Sequence, residues 1–441
     1  MIQSLLVANR GEIAVRVIRC CRQMGIRSVI AHSQADRDSL PVRMADDHVC
    51  VGPPPARDSY LNVRNLVTAA VLSHCDAVHP GVGFLAENAD FAREVRDAGL
   101  IFIGPDPEVI ELLGDKIRAK RSARDLEIPV IPGSEGSVEN AREAVAAAKK
   151  IGYPVIVKAA AGGGGKGMRI VRGGEELADI LAIASHEAEK AFSDGTMYME
   201  KYLENPRHVE IQIVADRKGN VVHLGERDCT VQQNHQKLVE ESPSVAVDSE
   251  MRSRMGHDAV RLLRNVGYTG AGTVEFLVKD GRHYFMEVNA RVQVEHPVSE
   301  MVTGVDIIRQ QILAASDEPL EIRQEEVRLS GYAMECRINA RSAGKVTRFH
   351  VPGGFGVRMD TFLYTGYTVP PWYDHLVAKL IVSARSRLEG IRRMQSALAE
   401  LVIEGIATNI ESQKRIVSHP TFRKGDYGTG FLGEVQKEGI L

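Results

Sequence analysis

The chain of 441 residues has room for about two to four domains at the usual ~100–200 residues each. Its 55 Lys and Arg against 58 Asp and Glu leave a formal charge of −3, which removes the case for a protein held to nucleic acid by backbone charge, and 44% apolar with 26% charged residues excludes wholesale disorder. No apolar run approaches the ~20 residues of a membrane helix, Met1-Ile2-Gln3-Ser4 opens no signal peptide, and the six cysteines show no CxxC spacing, so reduced thiols in the cytoplasm are expected.

Taken in chain order, Leu5 to Ala8 is a short apolar run that predicts a strand. Ile13, Val17, Cys20 and Met24 then recur at helical spacing, with Gly25 placed to stop the helix. Ser28 to Ala31 reads as the next strand, Leu61 to His74 as helix, Ala77-Val78 as strand, Phe91 to Ala98 as helix and Leu100 to Ile103 as strand. This alternation predicts a parallel sheet wrapped by helices. It is not a dinucleotide site, because Asn9-Arg10-Gly11-Glu12 carries one glycine where GxGxxG needs three. Asp115-Lys116 opens a further helix, and the prolines of Ile128 to Gly133 make a linker into a new unit. From Tyr153 to Val288 strand signals cluster as antiparallel pairs. From about Ser330 a third unit begins, with a helix expected over Leu388 to Ile403.

The loudest motif is Lys158 to Val171, with four consecutive glycines, Gly162, Gly163, Gly164 and Gly165. Glycines let backbone N–H groups approach phosphate oxygens. This is no Walker A loop, since Lys166-Gly167 lacks the Ser/Thr and an extended segment follows; a strand–loop–strand flap over phosphates, with Lys158 aimed at their charge, fits better. Glu200-Lys201-Tyr202-Leu203 ends a strand and offers free groups beside an apolar residue for a flat base. Glu275 and Glu287 lie on two strands joined by Asp280-Gly281, with Asn289 on the same side as Glu287. A two-residue turn alone pairs 275 with 286 and turns the glutamates apart; an odd loop or a bulge pairs 275 with 287. The odd register is expected, since it makes a carboxylate clamp for a hard cation. Arg291, Gln293 and Glu295 share one face if extended, a cation and a carboxylate suited to a small anion such as bicarbonate. Lys237 joins them only if tertiary folding brings it near.

The residues are then specific enough to place. The chain resembles biotin carboxylase, the ATP-grasp subunit of acetyl-CoA carboxylase, over essentially its whole length. The resemblance runs through Ala8 to Ala14, His79-Pro80-Gly81, Glu87-Asn88, Gly114-Asp115-Lys116, the glycine flap, Glu200 to Leu203 and Arg207 to Glu210. It continues through Glu226 to Cys229, His235-Gln236-Lys237, Met286 to Asn289, Arg291 to His296, Glu335 to Asn339 and Pro352 to Arg358. The order and spacing of these pieces carry it.

The resemblance implies an α/β and α+β chain: a βαβ (Rossmann-like) domain over 1–114, an ATP-grasp domain over 115–329 with its flap subdomain at about 131–203, and a β-rich C-terminal domain over 330–441. It implies ATP contacts from Lys116, Lys158, Gly163, Gly164, Gly165, Glu200, Lys201, Leu203, His208, Gln232 and His235. Glu275, Glu287 and Asn289 would hold Mg²⁺ or Mn²⁺. Lys237, Arg291, Gln293 and the backbone of Val294 would bind bicarbonate, Glu295 would be its base, and Arg337 would serve the biotin step. Partners implied are a biotin carboxyl carrier protein, carboxyltransferase subunits and a second copy of the chain. The lack of Ala-Met-Lys-Met leads us to expect biotin on another polypeptide. Departures from the family pattern are Val82 for a tyrosine, Ala161 for the first of five glycines, Gln233-Asn234 for an Arg-Arg pair, and a short 340–345 loop. Two of them lie on the biotin side and bear on the acceptor step; Val82 and the short loop leave as the alternative another ATP-grasp ligase, or an acyl-CoA or pyruvate carboxylase subunit with a different acceptor, whereas the retained lysines, glutamates and arginines argue against a non-catalytic subunit of this fold.

Overall fold

The computed structural model describes residues 2–138, 140–160, 168–234 and 236–439. The first unit is a parallel sheet of β1 (Ser4–Val7), β2 (Arg27–Ser33), β3 (Asp47–Gly52), β4 (Ala77–His79) and β5 (Ile101–Phe102), in the order β3-β2-β1-β4-β5. Leu5 and Val7 point into one core and Leu6 and Ala8 into another. A strand covered on both faces must be apolar at every position, which is why Leu5 to Ala8 reads as an unbroken run. Between β1 and β2, α1 (Gly11–Met24) ends at Gly25, whose φ of 70° is left-handed and whose N–H reaches Arg22 O. Helices α2 (Val63–Leu72) and α3 (Ala89–Asp97) cover the opposite face from α1, each opened by an asparagine, Asn62 or Asn88, that accepts an amide of the first turn.

After α4 (Lys116–Asp125), capped by Asp115 through the amides of Ile117 and Arg118, a small lobe folds on itself. Its antiparallel sheet joins β6 (Val155–Ala159), β7 (Arg169–Val171) and β8 (Met197–Lys201) in the order β7-β6-β8, backed by α5 (Ala141–Ile151) and α6 (Leu177–Phe192).

The largest element is an eight-stranded sheet. It contains β9 (Arg207–Ala215), β10 (Val221–Gln233), β11 (Gln236–Ser242), β12 (Gly270–Lys279), β13 (Arg282–Asn289), β14 (Tyr332–Asn339), β15 (Val357–Thr361) and β16 (Leu376–Ala384), in the order β13-β12-β9-β10-β11-β14-β16-β15. The pairing of β11 with β14 carries it across residue 330 without a break. Helix α7 (Ser249–Asn265) covers one face, where Val209, Ile211, Ile213, Val274, Phe276 and Phe285 form the core. Short α8 (His296–Thr303) sits on the other face. Near the C-terminus α9 spans Arg387–Glu400, and Val402–Glu404 is a strand, so the helix expected to reach Ile403 stops earlier; Val402 to Glu404 pair with Arg348 to His350 instead.

Candidate functional site

The period of two along each strand divides the large sheet into an apolar face and a charged one. In β9, Val209, Ile211 and Ile213 enter the core, so His208, Glu210 and Gln212 face the other way. The register then lines up polar neighbours: Glu275 opposite Glu210, Thr273 opposite Gln212, and Arg227 opposite Glu210. All of these are buried. Arg227, wholly enclosed, donates to Glu210 (2.6 Å), Gln212 (2.5 Å), Ser299 (3.0 Å) and Thr273 (3.0 Å), which engages four of the five N–H groups of its planar fork.

The hairpin of β12 and β13 has the odd register expected. Asp280 (φ 49°) and Gly281 (φ 70°) make the two-residue turn, pairing Phe276 with Phe285. A bulge between Glu275 and Phe276 then shifts the ladder by one residue, so Glu275 stands opposite Glu287 and Thr273 opposite Asn289. Asn289 Nδ2 donates to Glu275 Oε1 (3.0 Å). Two carboxylates and an amide oxygen on one side are the hard oxygen donors a Mg²⁺-sized cation takes, with its remaining positions left for phosphate and water. The donor set therefore fits the metal the resemblance implies.

Lys237 is brought to the middle of this face. Its ammonium donates to Glu210 (2.6 Å), Glu295 (2.7 Å) and Glu275 (2.9 Å), using all three protons. Glu295 is shared with Arg337 Nη2 (2.8 Å), whose Nε donates to Glu240 (2.5 Å). Burial alone pushes the Glu295 carboxyl up, yet Lys237 and Arg337 overcome it and hold the group well below the usual carboxylate range. Glu240 goes the other way: burial pushes it up to about 7 against the pull of Arg337. Glu275 is held low despite burial by Lys237 and by His208, whose Nε2 lies 3.0 Å from it. Gln232 donates to the other ring nitrogen of His208 (2.7 Å).

The segment from Arg291 to Glu295 is not extended, contrary to the condition under which its side chains share a face. It bends at Arg291 and turns at Val294 and Glu295 into α8, because Pro297 sits in the helix's first turn and His296 N–H closes back on Gln293 O (3.3 Å). The turn still gathers the polar groups. Arg291 donates to Gln293 (3.0 Å), to Asn289 (3.1 Å) and to Glu87 (2.7 Å), and Glu87 also accepts Ala290 N–H (2.8 Å). Glu87, which precedes α3, was visible in the sequence only as part of a motif; nothing local tied it to Arg291.

On the small-lobe side, Lys116 pairs with Glu287 (2.7 Å) and Lys158 with Glu200 (2.7 Å). Lys120, buried and unnoticed in the sequence, also pairs with Glu200 and lies over the Tyr198 ring. The Glu200 side chain is thus not a free group beside Leu203, and Lys201 Nζ turns back to the carbonyls of Tyr153 (2.7 Å) and Gly152 (3.0 Å). Strand polarity explains this: Glu200 on β8 stands opposite Ile156, two residues from Lys158, so the carboxylate and the ammonium meet on one face. Burial, and then Lys116, pushes the Lys158 ammonium down to about 8. The flap glycines Gly163, Gly164 and Gly165, with Ala161 and Lys166, and His235 lie outside the described residues. Val82 packs against the first unit's core, and its carbonyl accepts from Asn9 Nδ2 (2.9 Å).

One end of this face therefore carries lysines and oxygen donors suited to a metal-bound polyphosphate, and the other a carboxylate held between two cations. Lys120 and Glu240 were missed in the sequence, and Glu87, Arg227 and Glu210 stood there only inside motifs, with no role given to them. The alternation His208-Val209-Glu210-Ile211-Gln212 was signal enough for Glu210; the others depend on strand order.

Three family models match the chain: "Biotin carboxylase, N-terminal domain" at residues 1–110, "Carbamoyl-phosphate synthase L chain, ATP binding domain" at 115–323, and "Biotin carboxylase C-terminal domain" at 334–434. Biotin carboxylase 1 of Bacillus subtilis is 52% identical over 442 residues, covering 98% of each chain. The Campylobacter jejuni biotin carboxylase, solved as a β,γ-ATP complex, superposes with a TM-score of 0.97 at 45% identity, over 98% of this chain and 99% of that one. The biotin carboxylase domain dimer of Hydrogenobacter thermophilus 2-oxoglutarate carboxylase, solved with MgADP, ADP and bicarbonate, gives a TM-score of 0.95 at 46% identity, over 99% and 98%.

Proposed function

We propose, from the premise that this chain belongs to the biotin carboxylase family, that it performs the first half-reaction of acetyl-CoA carboxylase on a separate biotin carboxyl carrier protein. The chain is an ATP-dependent ligase of the ATP-grasp fold that carboxylates biotin. The proposal extends this to a role in malonyl-CoA formation for fatty acid synthesis, with carboxyltransferase subunits downstream. It divides the chain at 114/115 and 329/330, with 131–203 as the closing lobe.

In this reading Lys116, Lys158, His208, Gln232 and His235 take ATP, with the flap glycines over its phosphates and Glu200, Lys201 and Leu203 beside its base. Glu275, Glu287 and Asn289 would hold Mg²⁺ or Mn²⁺, which when bound would supply positive charge against the phosphate oxygens. Lys237, Arg291, Gln293 and the Val294 amide hold bicarbonate. Glu295 takes its proton, and the freed oxygen attacks the γ-phosphate to give carboxyphosphate and ADP. Carboxyphosphate breaks into CO₂ and phosphate; phosphate removes the biotin N1 proton, Arg337 stabilises the enolate, and N1 bonds to the CO₂ to give carboxybiotin.

The observation that carries this is Glu295, buried between Lys237 and Arg337. As a carboxylate gripped by two cations it is a poor base. Bicarbonate gives Lys237 a new anion to pair with, so the substrate itself loosens the grip on Glu295 and raises its basicity before the proton moves. The test is ADP release with and without bicarbonate and free biotin. Bicarbonate-dependent release stimulated by biotin is expected; release indifferent to biotin points to another acceptor, and no turnover to a non-catalytic subunit. The Hydrogenobacter relative belongs to a 2-oxoglutarate carboxylase, so the alternative downstream reading is a carboxylase of a 2-oxoacid such as pyruvate. That relative was solved as a dimer, and we extend a homodimer to this chain. No helix among the described residues is long and apolar enough to cross a membrane; a cytoplasmic location, with neither membrane nor nucleic acid as partner, completes the proposal.

A further inference from the structure

Lys379, in the middle of β16, has no exposed surface and belongs to none of the groups assigned above. Its ammonium meets three separate stretches of chain. It donates to the Val294 carbonyl (2.8 Å), pairs with Glu12 of α1 (2.9 Å), and lies 4.0 Å from Asp360 of β15. Its cross-strand neighbours are Arg337 on one side and Asp360 on the other. Burial alone pushes Lys379 down, but Glu12, Glu335 and Asp360 keep it charged. A buried ion pair is weak evidence for stability, since apolar residues of the same volume often serve as well or better. The reason for this lysine is sought in what it grips.

The Val294 carbonyl is one end of a rigid peptide plane whose other end is the Glu295 nitrogen. At the start of α8, Val298 N–H goes to Glu295 O (3.2 Å), and position 297 is a proline without an N–H. Lys379 reaches this carbonyl from the C-terminal unit while Glu12 of the first unit steadies its ammonium. We propose that Lys379 is a positioning residue for bicarbonate, holding the turn from Gln293 to Glu295 so that the Val294 amide and the Glu295 carboxylate address the same ion. This rests on the reading of 291–295 as the bicarbonate segment. The three units of the chain then meet at one ammonium directly behind the reacting groups.

The test is Lys379→Met combined with Glu12→Gln, which removes both charges of the pair; Asp360 keeps Arg358 (2.7 Å), and Glu335, which burial already pushes well above the usual carboxylate range, is left protonated. The KM for bicarbonate is expected to rise roughly tenfold or more, the scale of a small displacement of a positioned group, while the KM for ATP and the calorimetric affinity for ADP stay as in the wild type. Lys379→Arg keeps the charge but moves the donor, and should show the same split at smaller size, so it carries the test if the double variant does not fold. Equal changes for ATP and bicarbonate, or none for either, would overturn the assignment. Wild-type ADP release that ignores bicarbonate would instead sink the reading of the site beneath it.

Discussion

Glu295→Gln removes one negative charge from the centre of the charged face and leaves the volume unchanged. Its structural cost is bounded by the partners that remain. Lys237 keeps Glu210 and Glu275, and Arg337 keeps Glu240. Neither cation is orphaned, so the loss is about 1–3 kcal/mol for weakened charge-assisted bonds, short of the ~3–5 kcal/mol of stripping a buried ion of its only partner. One end of the amide presents N–H groups to a cation, which places the variant towards the upper end of that range. The chemical cost is larger. A positioned general base contributes roughly 10²–10⁴ in rate, or about 3–5 kcal/mol of barrier. Bicarbonate-dependent ADP release, followed by a coupled assay, should therefore fall by at least about a hundredfold. Calorimetric ADP binding should be nearly unchanged, because Lys116, Lys158 and His208 pair with Glu287, Glu200 and Glu275 and not with Glu295. A folded variant that releases ADP within about threefold of the wild type would remove Glu295 from the role of base.

Arg337→Ala should lose roughly 10²–10³ in the biotin-dependent rate, and less in bicarbonate-dependent ATP cleavage, which it touches only through Glu295; equal losses count against it as the enolate's partner. Nucleotide binding should depend on pH through Lys158, whose ammonium sits near 8. Polyphosphate favours the charged form, so affinity is full below that pH and falls as pH rises through it, by up to about tenfold per unit; calorimetry between about pH 7 and 10 checks this, and Lys158→Met should flatten the profile. Glu287→Gln should raise the magnesium needed for half-maximal ADP release by about tenfold or more while leaving metal-free ADP binding closer to wild type, and an unchanged magnesium requirement would take Glu287 out of the metal site.

Much of the local architecture was legible because its causes are local. The stop of α1 at Gly25, the cap of α4 at Asp115 and the turn at Asp280-Gly281 each depend on a few adjacent residues. Where a strand buries little, the signal disappears: β3 was unread because only Val51 of its six residues is buried, as suits an edge strand. The pairing of Glu275 with Glu287 was anticipated from what a clamp requires, but the device that achieves it, a bulge beyond an ordinary two-residue turn, emerged only from the ladder.

By itself the sequence determined the kind of elements, the charged and apolar faces of β9 and β12, and a family whose members share this order of motifs. Tertiary structure alone decided which charges meet. Arg291 finds Glu87 from 204 residues away, Lys237 reaches three carboxylates on β9, β12 and the turn before α8, and Lys379 links α1 to that turn. A side chain's face follows from a period of two or of 3.6 residues, which any short stretch contains. Its partner follows from strand order and register, which are properties of the whole packed chain.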